Sequence, residues 1–482
     1  MTKLKNILNS VDCKIIGNDD IEIANLAFDS RKVQQGTLFV AQVGVHVDGH
    51  QYIEQAIASG AVGIVCQVLP KELHEGICYL LTDNSDRALG HLASNYYGNP
   101  SKKLKLIGIT GTNGKTTTVT LLHRMFRMMG HHVGLLSTIV NKIDDEEFPA
   151  THTTPDALAL NETLAKMVEA GCDYAFMEVS SHSIVQNRIA GLTFAGGIFS
   201  NITHDHLDFH KTMANYIQAK KGFFDMLPKG AFALTNRDDH NGMVMVQNTK
   251  ANIATYSLQS MADFRCKILE STFQGLHLEI NGQEVWTRLV GRFNAYNLMA
   301  IYSTAVLCGT QPAEALLQLS MLQAAEGRFQ YVSGRGITAI VDYAHTPDAL
   351  QNVISTINDI RTDNQRLITV VGCGGDRDPY KRPEMAKIAA MGSSRVILTS
   401  DNPRTEDPAK ILDMMEEGLT AEQKCNTVRI DDRRQAIKTA VMIAQQGDII
   451  LVAGKGHEKY QEINGVRHHF DDREELQNAL TE

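Results

Sequence analysis

The sequence predicts an α/β fold in three domains, with mainly parallel sheets and a doubly wound sheet in the last third. Three observations carry this expectation. Short β-branched runs alternate with helical stretches over most of the chain, as in sheets whose parallel strands need helical crossovers. A glycine-rich turn near residue 111 separates one such strand from a helix. The length, 482 residues, suffices for about three domains of ordinary size.

Residues 1–101 read as a small α/β unit. Ile53–Gly60 is helical, Val62–Cys66 and Tyr79–Thr82 are strands, and Asp86–Tyr97 is a second helix. Asn99-Pro100-Ser101 then breaks the chain, because the residue before a proline is pushed out of helical space. Residues 102–332 form the second unit, with strands at Leu106–Ile109, Tyr174–Val179 and Gly197–Asn201 and a β-rich patch from Ile253 to Leu289. Residues 333–482 are the most regular. Strands at Thr338–Val341, Leu367–Val371, Val396–Thr399, Thr427–Ile430 and Ile449–Val452 alternate with helices such as Asp348–Ile360, Pro383–Met391, Pro408–Gly418 and Arg433–Gln446. That alternation predicts a Rossmann-like, doubly wound domain.

Composition narrows the classes. Apolar residues at 43% and charged residues at 21% fit a soluble globular chain. A net charge of −9 argues against a nucleic-acid partner, which would need an excess of Lys and Arg. Eight cysteines without a Cys-x-x-Cys pair suit reduced thiols in the cytoplasm. Asp12 interrupts the N-terminal stretch where a signal peptide needs apolar residues, and no apolar run approaches the ~20 residues of a membrane span. A cytoplasmic monomer with no membrane partner is expected.

Leu106-Ile-Gly-Ile-Thr-Gly-Thr-Asn-Gly-Lys-Thr-Thr117 reads as strand, turn and helix. Backbone N–H groups from Gly111, Thr112, Asn113, Gly114 and Thr117 would face phosphate oxygens, and Lys115 would add a cation for the terminal phosphates. Thr116 supplies the hydroxyl that usually ligates magnesium. Ile109 stands where the common pattern has its first glycine, and Gly111 makes the turn instead. A plain glycine-rich turn is the simpler alternative, but Gly-Lys-Thr between strand and helix favours a bound nucleotide. The second unit is thus expected to be a P-loop ATPase-like domain.

Glu178 closes its strand and is followed by Ser180-Ser-His182, while Asn201-Ile-Thr-His-Asp-His-Leu-Asp-Phe-His210 packs three histidines and two aspartates into seven residues. A zinc-hydrolase order fails because Phe209 intervenes before His210. Beside a phosphate loop, magnesium held by Glu178 and His206 is the better reading, against a merely polar loop. In the last unit, polar clusters follow four strands: Asp342-Tyr-Ala-His-Thr-Pro347, Gly372-Cys-Gly-Gly-Asp-Arg377, Asp401-Asn-Pro-Arg404 and Gly454-Lys-Gly-His-Glu458. Strand exits of an open parallel sheet share one rim, so the four should converge. Arg377 and Arg404 suit a carboxylate, and Asp401 and Glu458 suit an ammonium group.

Together with Gly291-Arg-Phe-Asn-Ala-Tyr-Asn297 and Gly327-Arg-Phe329, these motifs occur in the order seen in the Mur ligases. The chain resembles that family over essentially its whole length. Asp29-Ser-Arg31, His46-Val-Asp-Gly49 and Asp401-Asn-Pro-Arg404 resemble the branch that adds diaminopimelate. The resemblance implies an ATP-dependent ligase of peptidoglycan precursor synthesis, joining meso-diaminopimelate to UDP-N-acetylmuramoyl-L-alanyl-D-glutamate through an acyl phosphate, with two magnesium ions. It implies UDP-muramoyl-dipeptide contacts at Phe28, Ser30, Val45, His46, Val47, His152, Thr153, Thr154, Ser180, Gln186 and Arg188. Lys220 matches the family's carbamylated lysine and, with Thr116, Glu178 and His206, would serve the metals; Lys115, Glu178, His206 and Lys220 form the catalytic set. Asn294, Arg328, Asp342 and His345 resemble outer ATP contacts. Arg377, Asp401, Asn402, Pro403, Arg404, Gly454 and Glu458 match the site of the incoming amino acid. The base that deprotonates the amine stays open among solvent, phosphate and His345. Two alternatives compete: a folate polyglutamate-type ligase, which should lack the first unit, and a nucleotide-sensing protein without chemistry.

Overall fold

The computed structural model describes residues 1–44, 47–150 and 152–481, with Asp208 described by its backbone alone. The candidate contacts Val45 and His46 lie outside the described residues. Three large sheets follow one another along the chain, beside two small two-stranded ones. The first has five strands in the order Lys14–Ile16, Cys78–Leu81, Ala61–Cys66, Thr37–Val40 and Asn25–Ala27, parallel except at the first pair. Thr37–Val40 is buried along its whole length because it has a strand on either side and core on both faces.

The second sheet has eleven strands. Its parallel centre runs Val133–Leu136, Tyr174–Glu178, Lys105–Thr110, Gly196–Phe199, Phe232–Asn236 and Asn252–Ser257. Alternate side chains of Lys105–Thr110 serve opposite cores: Ile107 and Ile109 pack with helices Lys115–Met128 and Arg292–Leu307, and Leu106 with Ala157–Glu169 and Met213–Asp225. The chain leaves Lys105–Thr110 toward one side of the sheet and later resumes on the other. That reversal opens a crevice at the strand's carboxyl end, where such sheets bind ligands. The β-rich patch expected from Ile253 to Leu289 is an edge meander of Phe264–Thr272, Gly275–Ile280 and Gln283–Thr287.

The third sheet orders its strands Gln330–Gly334, Ile337–Asp342, Ile449–Ala453, Leu367–Val371, Arg395–Leu398 and Thr427–Arg429. All neighbours are parallel except the first pair, a hairpin. The hairpin draws Gln330–Gly334 into this sheet, so a division at 332/333 falls inside a strand. Apolar clusters cover both faces, as in a doubly wound sheet. A second hairpin, Tyr460–Ile463 with Val466–His469, touches the Arg404 turn: the Arg404 N–H donates to the Glu462 carbonyl at 3.0 Å. No described helix is long and apolar enough to cross a membrane.

Candidate active site

The turn after Lys105–Thr110 is fastened to the neighbouring strand exit. Gly111 passes so close that a Cβ there would stand 1.9 Å from Ser200 Oγ. Ser200 Oγ donates to the Asn113 carbonyl at 2.7 Å, and the Asn113 N–H donates to Asn201 Oδ1 at 2.9 Å. Gly114, at φ 88°, opens the helix that carries Lys115, Thr116 and Thr117. Lys115 Nζ donates to the Gly111 and Thr112 carbonyls at 2.9 and 2.8 Å, and Lys220 Nζ donates to the same Gly111 carbonyl at 2.8 Å. Burial lowers the Lys115 pKa; burial and the Lys115 charge push Lys220 well below its ordinary range. Thr112 Oγ1 meets Tyr216 OH at 3.1 Å, and the Tyr216 ring lies 4.6 Å from Lys220 Nζ.

Glu178, 1% exposed, accepts from Thr116 Oγ1 at 2.9 Å and from the Thr138 N–H at 2.7 Å. Hydroxyl and carboxylate oxygens side by side suit a hard divalent cation. The other two expected metal residues approach from the Lys115 side. Burial and the Lys115 charge favour the neutral form of the Lys220 amine, the form that adds carbon dioxide. His206, at φ 54°, sets its ring edge-on to His182 with centroids 5.0 Å apart, and its Nε2 lies 3.3 Å from Asp205. Among the described residues no group of three or more His, Cys, Asp or Glu side chains is gathered to hold a metal. Of the four expected ligands, Thr116 and Glu178 are the pair in direct hydrogen-bond contact.

The muramoyl-peptide candidates of the second unit cluster behind Glu178. Thr154 Oγ1 donates to the Glu178 carbonyl at 2.8 Å and accepts from the Ser180 N–H at 3.1 Å. Arg188 Nη1 donates to the Thr154 carbonyl at 2.7 Å, and Thr153 Oγ1 accepts from Thr138 at 3.1 Å. Ser180 caps the short helix Ser181–Val185, which Gln186 closes; His152 is exposed. In the first unit Phe28 is half-buried, Val47 is exposed, and Ser30 Oγ donates to Gln55 at 3.3 Å. These three sit apart from the Thr154 group in the hydrogen-bond pattern. The units are joined by packing: Gly90, on helix Ser85–Tyr96, lies against Ala190, two residues past Arg188, and Ala157 enters the core of the first unit.

The second and third units meet at the phosphate loop. Asn113 Nδ2 donates to Asp348 at 2.7 Å, and Arg328 Nη2 donates to Thr116 Oγ1 at 3.4 Å. The Arg328 guanidinium lies 4.7 Å from the Tyr343 ring, which lies 4.7 Å from the His457 ring. Asn294 is buried, donates to the Val290 carbonyl at 2.8 Å and accepts from Asn297 Nδ2 at 3.0 Å, and a Cβ on Gly114 of the loop would stand 2.4 Å from Asn297 Oδ1. Asp342 accepts from the Phe329 N–H at 2.7 Å; burial raises its carboxyl to about 6 against the pull of Arg328. His345 Nδ1 donates to the Tyr343 carbonyl at 2.9 Å, so Nε2 is its basic nitrogen, and burial with the Lys381 charge lowers the ring to about 4. Asp205 is penalised by burial, yet His206, His345, Lys115 and Lys381 together hold its pKa below the ordinary value.

The other three strand exits of the third sheet also converge. A Cβ on Gly375 would stand 2.0 Å from the Pro403 carbonyl, so the two turns can stack only because that residue is glycine. Arg404 is half-buried, at φ 52°, and its Nη1 donates to the Gly375 carbonyl at 2.6 Å. Arg377 is exposed and donates to the carbonyl of its neighbour Asp376 at 3.3 Å. Asn402 Nδ2 donates to Glu458 Oε2 at 2.7 Å, and the Gly454 turn passes beside Asp401. Three buried cations hold this rim, and none was among the expected site residues. Arg382 grips Glu406 at 2.8 Å and the Gly374 carbonyl at 3.3 Å. Arg433 forms a fork on Asp472, at 2.7 Å from both oxygens, and donates to the Ala453 carbonyl at 3.0 Å. Lys455 donates to Asn402 Oδ1 at 2.9 Å. Lys455 belongs to the motif Gly454 to Glu458, so the sequence carries a signal for it; Arg433 and Asp472 are 39 residues apart and carry none.

Family profiles match this arrangement. The Mur ligase family catalytic domain matches residues 22–97, the Mur ligase middle domain 109–305, and the Mur ligase glutamate ligase domain 327–456. The chain is 57% identical over 481 residues to a protein of Parabacteroides distasonis named UDP-N-acetylmuramoyl-L-alanyl-D-glutamate–2,6-diaminopimelate ligase, covering 99% of each. It is 55% identical to the protein of that name from Bacteroides fragilis, again covering 99% of each. A solved structure titled as the same ligase superposes with a TM-score of 0.71 at 33% identity, covering 100% of this chain and 99% of the other. Three consecutive profiles and full-length relatives at this identity leave one conclusion: the chain belongs to the Mur ligase family.

Proposed function

We propose that this protein joins meso-diaminopimelate to UDP-N-acetylmuramoyl-L-alanyl-D-glutamate with hydrolysis of ATP, as its relatives are named to do. The observation that carries the reading is a line of contacts from the phosphate loop to the C-terminal rim: Thr116 to Arg328, Arg328 to Tyr343, Tyr343 to His457, beside Glu458. A phosphate-binding turn and a pocket with opposed carboxylates and an arginine thus face one cleft. The first unit supports a UDP-linked substrate over a folate-type one.

A carboxylate does not acylate an amine at neutral pH, because oxide is too poor a leaving group. In the proposed reaction a D-glutamyl carboxylate oxygen attacks the terminal phosphorus of ATP, ADP departs, and the acyl phosphate carries phosphate as its leaving group. The neutral amine then adds to the acyl carbon, phosphate departs, and the amine proton is lost. Lys115 and the loop N–H groups would hold the phosphates in line. Thr116, Glu178, His206 and a carbamate on Lys220 fit magnesium, whose charge would neutralise the transferring group when bound. His345 is kept neutral with Nε2 free of its proton, which suits an acceptor role. The domain division at 101/102 and near 330 belongs to the same proposal, since closure of the units would shield the acyl phosphate from water.

Phosphate release from ATP tests the reading. Release is expected only with both the UDP-muramoyl dipeptide and diaminopimelate present. Equal release with lysine in place of diaminopimelate overturns the choice of amino acid, and no release with either overturns the ligase.

A further inference from the structure

Lys455 is entirely buried, and the groups around it are those assigned to the incoming amino acid. Its Nζ donates to Asn402 Oδ1 at 2.9 Å, to Glu458 Oε2 at 3.4 Å and to Asp401 Oδ1 at 3.5 Å, and lies 5.6 Å from the Tyr460 ring. Asn402 Oδ1 also accepts from the Glu462 N–H at 3.0 Å, so the amide oxygen faces two donors and the amide nitrogen is turned toward Glu458. One lysine therefore fixes both the orientation of Asn402 and the placement of Glu458. It also changes the charge of the pocket. Two carboxylates buried together would repel each other and resist ionising, whereas a cation between them permits both to be anionic. The groups facing Glu458 are Asp401, which raises its pKa after burial, Lys455, which lowers it, and Tyr343, Tyr460 and the Arg433–Asp472 pair around them.

We infer that Lys455 is a positioning residue for the amino-acid pocket: it orients Asn402 and holds Glu458 in place so that the pair can receive the ammonium group of the incoming amino acid. This rests on the function proposed above and deepens it. Lys455 itself does not meet the substrate; it acts through Asn402 and Glu458. The distinction from a merely structural buried lysine lies in pH. Without the cation, Glu458 should ionise only at higher pH, and the acid limb of kcat/KM for the amino acid should move toward neutrality.

The test compares Lys455→Met and Lys455→Arg with the parent in the phosphate-release assay across pH, varying diaminopimelate at saturating ATP and UDP-muramoyl dipeptide. Lys455→Met is expected to raise KM for diaminopimelate about tenfold or more, with KM for ATP within about twofold. It should also shift the acid limb upward by about one pH unit. Lys455→Arg keeps the charge and should leave the limb where it is. If Lys455→Met does not fold, Lys455→Gln, which keeps a donor in that space without the charge, should show the same limb shift. A variant that weakens all three substrates alike, or lowers kcat with the limb unmoved, overturns the proposal. A parent enzyme that releases no phosphate in response to diaminopimelate overturns the underlying function instead, so the two failures are separable.

Discussion

The cations of the cleft fall into two groups, divided by what they touch. At the phosphate loop Lys115 rests on backbone carbonyls, and at the far rim Arg404 does the same on Gly375. Below that rim, Arg382, Arg433 and Lys455 are matched to carboxylates and buried. A carbonyl satisfies a hydrogen bond without cancelling a charge, so a cation resting on one keeps its attraction for an anion. A cation bound to a carboxylate has spent its charge on holding the fold. Lys115 and Arg404 are thus left with charge to offer an anion, whereas Arg382, Arg433 and Lys455 build the ground beneath them.

The largest expected effect breaks a member of the second group. Arg433→Met leaves Asp472 buried without its partner and frees the Ala453 carbonyl, at a cost of about 3–5 kcal/mol in stability. Urea unfolding followed by fluorescence should show a clearly lower midpoint. An unchanged midpoint would show that the buried pair is not structural, and the sorting would fail at its best case. Arg404→Ala sharpens the same division from the other side. It should leave the unfolding midpoint near that of the parent while kcat/KM for diaminopimelate falls by an amount equivalent to about 2–4 kcal/mol, because the substrate carboxylate loses its partner. Steady-state kinetics with each substrate varied in turn would locate the loss. Equal use of diaminopimelate by variant and parent would remove Arg404 as the recognising group.

The same division explains what could be read from the sequence. The phosphate loop is contiguous, and its Gly-Lys-Thr lies between strand and helix, so the residue types and their setting are visible together. The strands of the third sheet were legible because each is a short apolar run between helices. The convergence of their exits followed from topology, although the Gly375–Pro403 stacking that makes it possible did not. Asn294 stands in a contiguous motif, but its link to the loop, through Asn297 beside Gly114, exists only once the helix has packed there. The antiparallel meander of Phe264–Thr272, Gly275–Ile280 and Gln283–Thr287 was legible only as β-rich, since strand pairing is not written in any one strand. The buried cations were the least visible. An arginine 39 residues from its carboxylate carries no local mark, and burial, the property that makes the pair matter, exists only after folding.

Asp342 tests the junction between the two groups, and by the smallest margin. It ends the strand Ile337–Asp342, accepts the Phe329 N–H, and lies beside the arginine that reaches Thr116. Burial raises its carboxyl to about 6, above its ordinary value of 3.8. The folded state therefore binds this proton more tightly than the unfolded state does. The stabilisation from that proton is fully present below the unfolded pKa and is lost as pH rises through the folded one. Between pH 5 and pH 8 the loss amounts to about 1–2 kcal/mol. Asp342→Asn keeps an acceptor for the Phe329 N–H and removes the titration. The difference in urea midpoint, variant minus parent, should thus rise from pH 5 to pH 8, since the parent alone carries the loss. A difference that is flat over that range would mean that Arg328 neutralises Asp342 in the folded protein, placing this arginine among the cations whose charge is already spent.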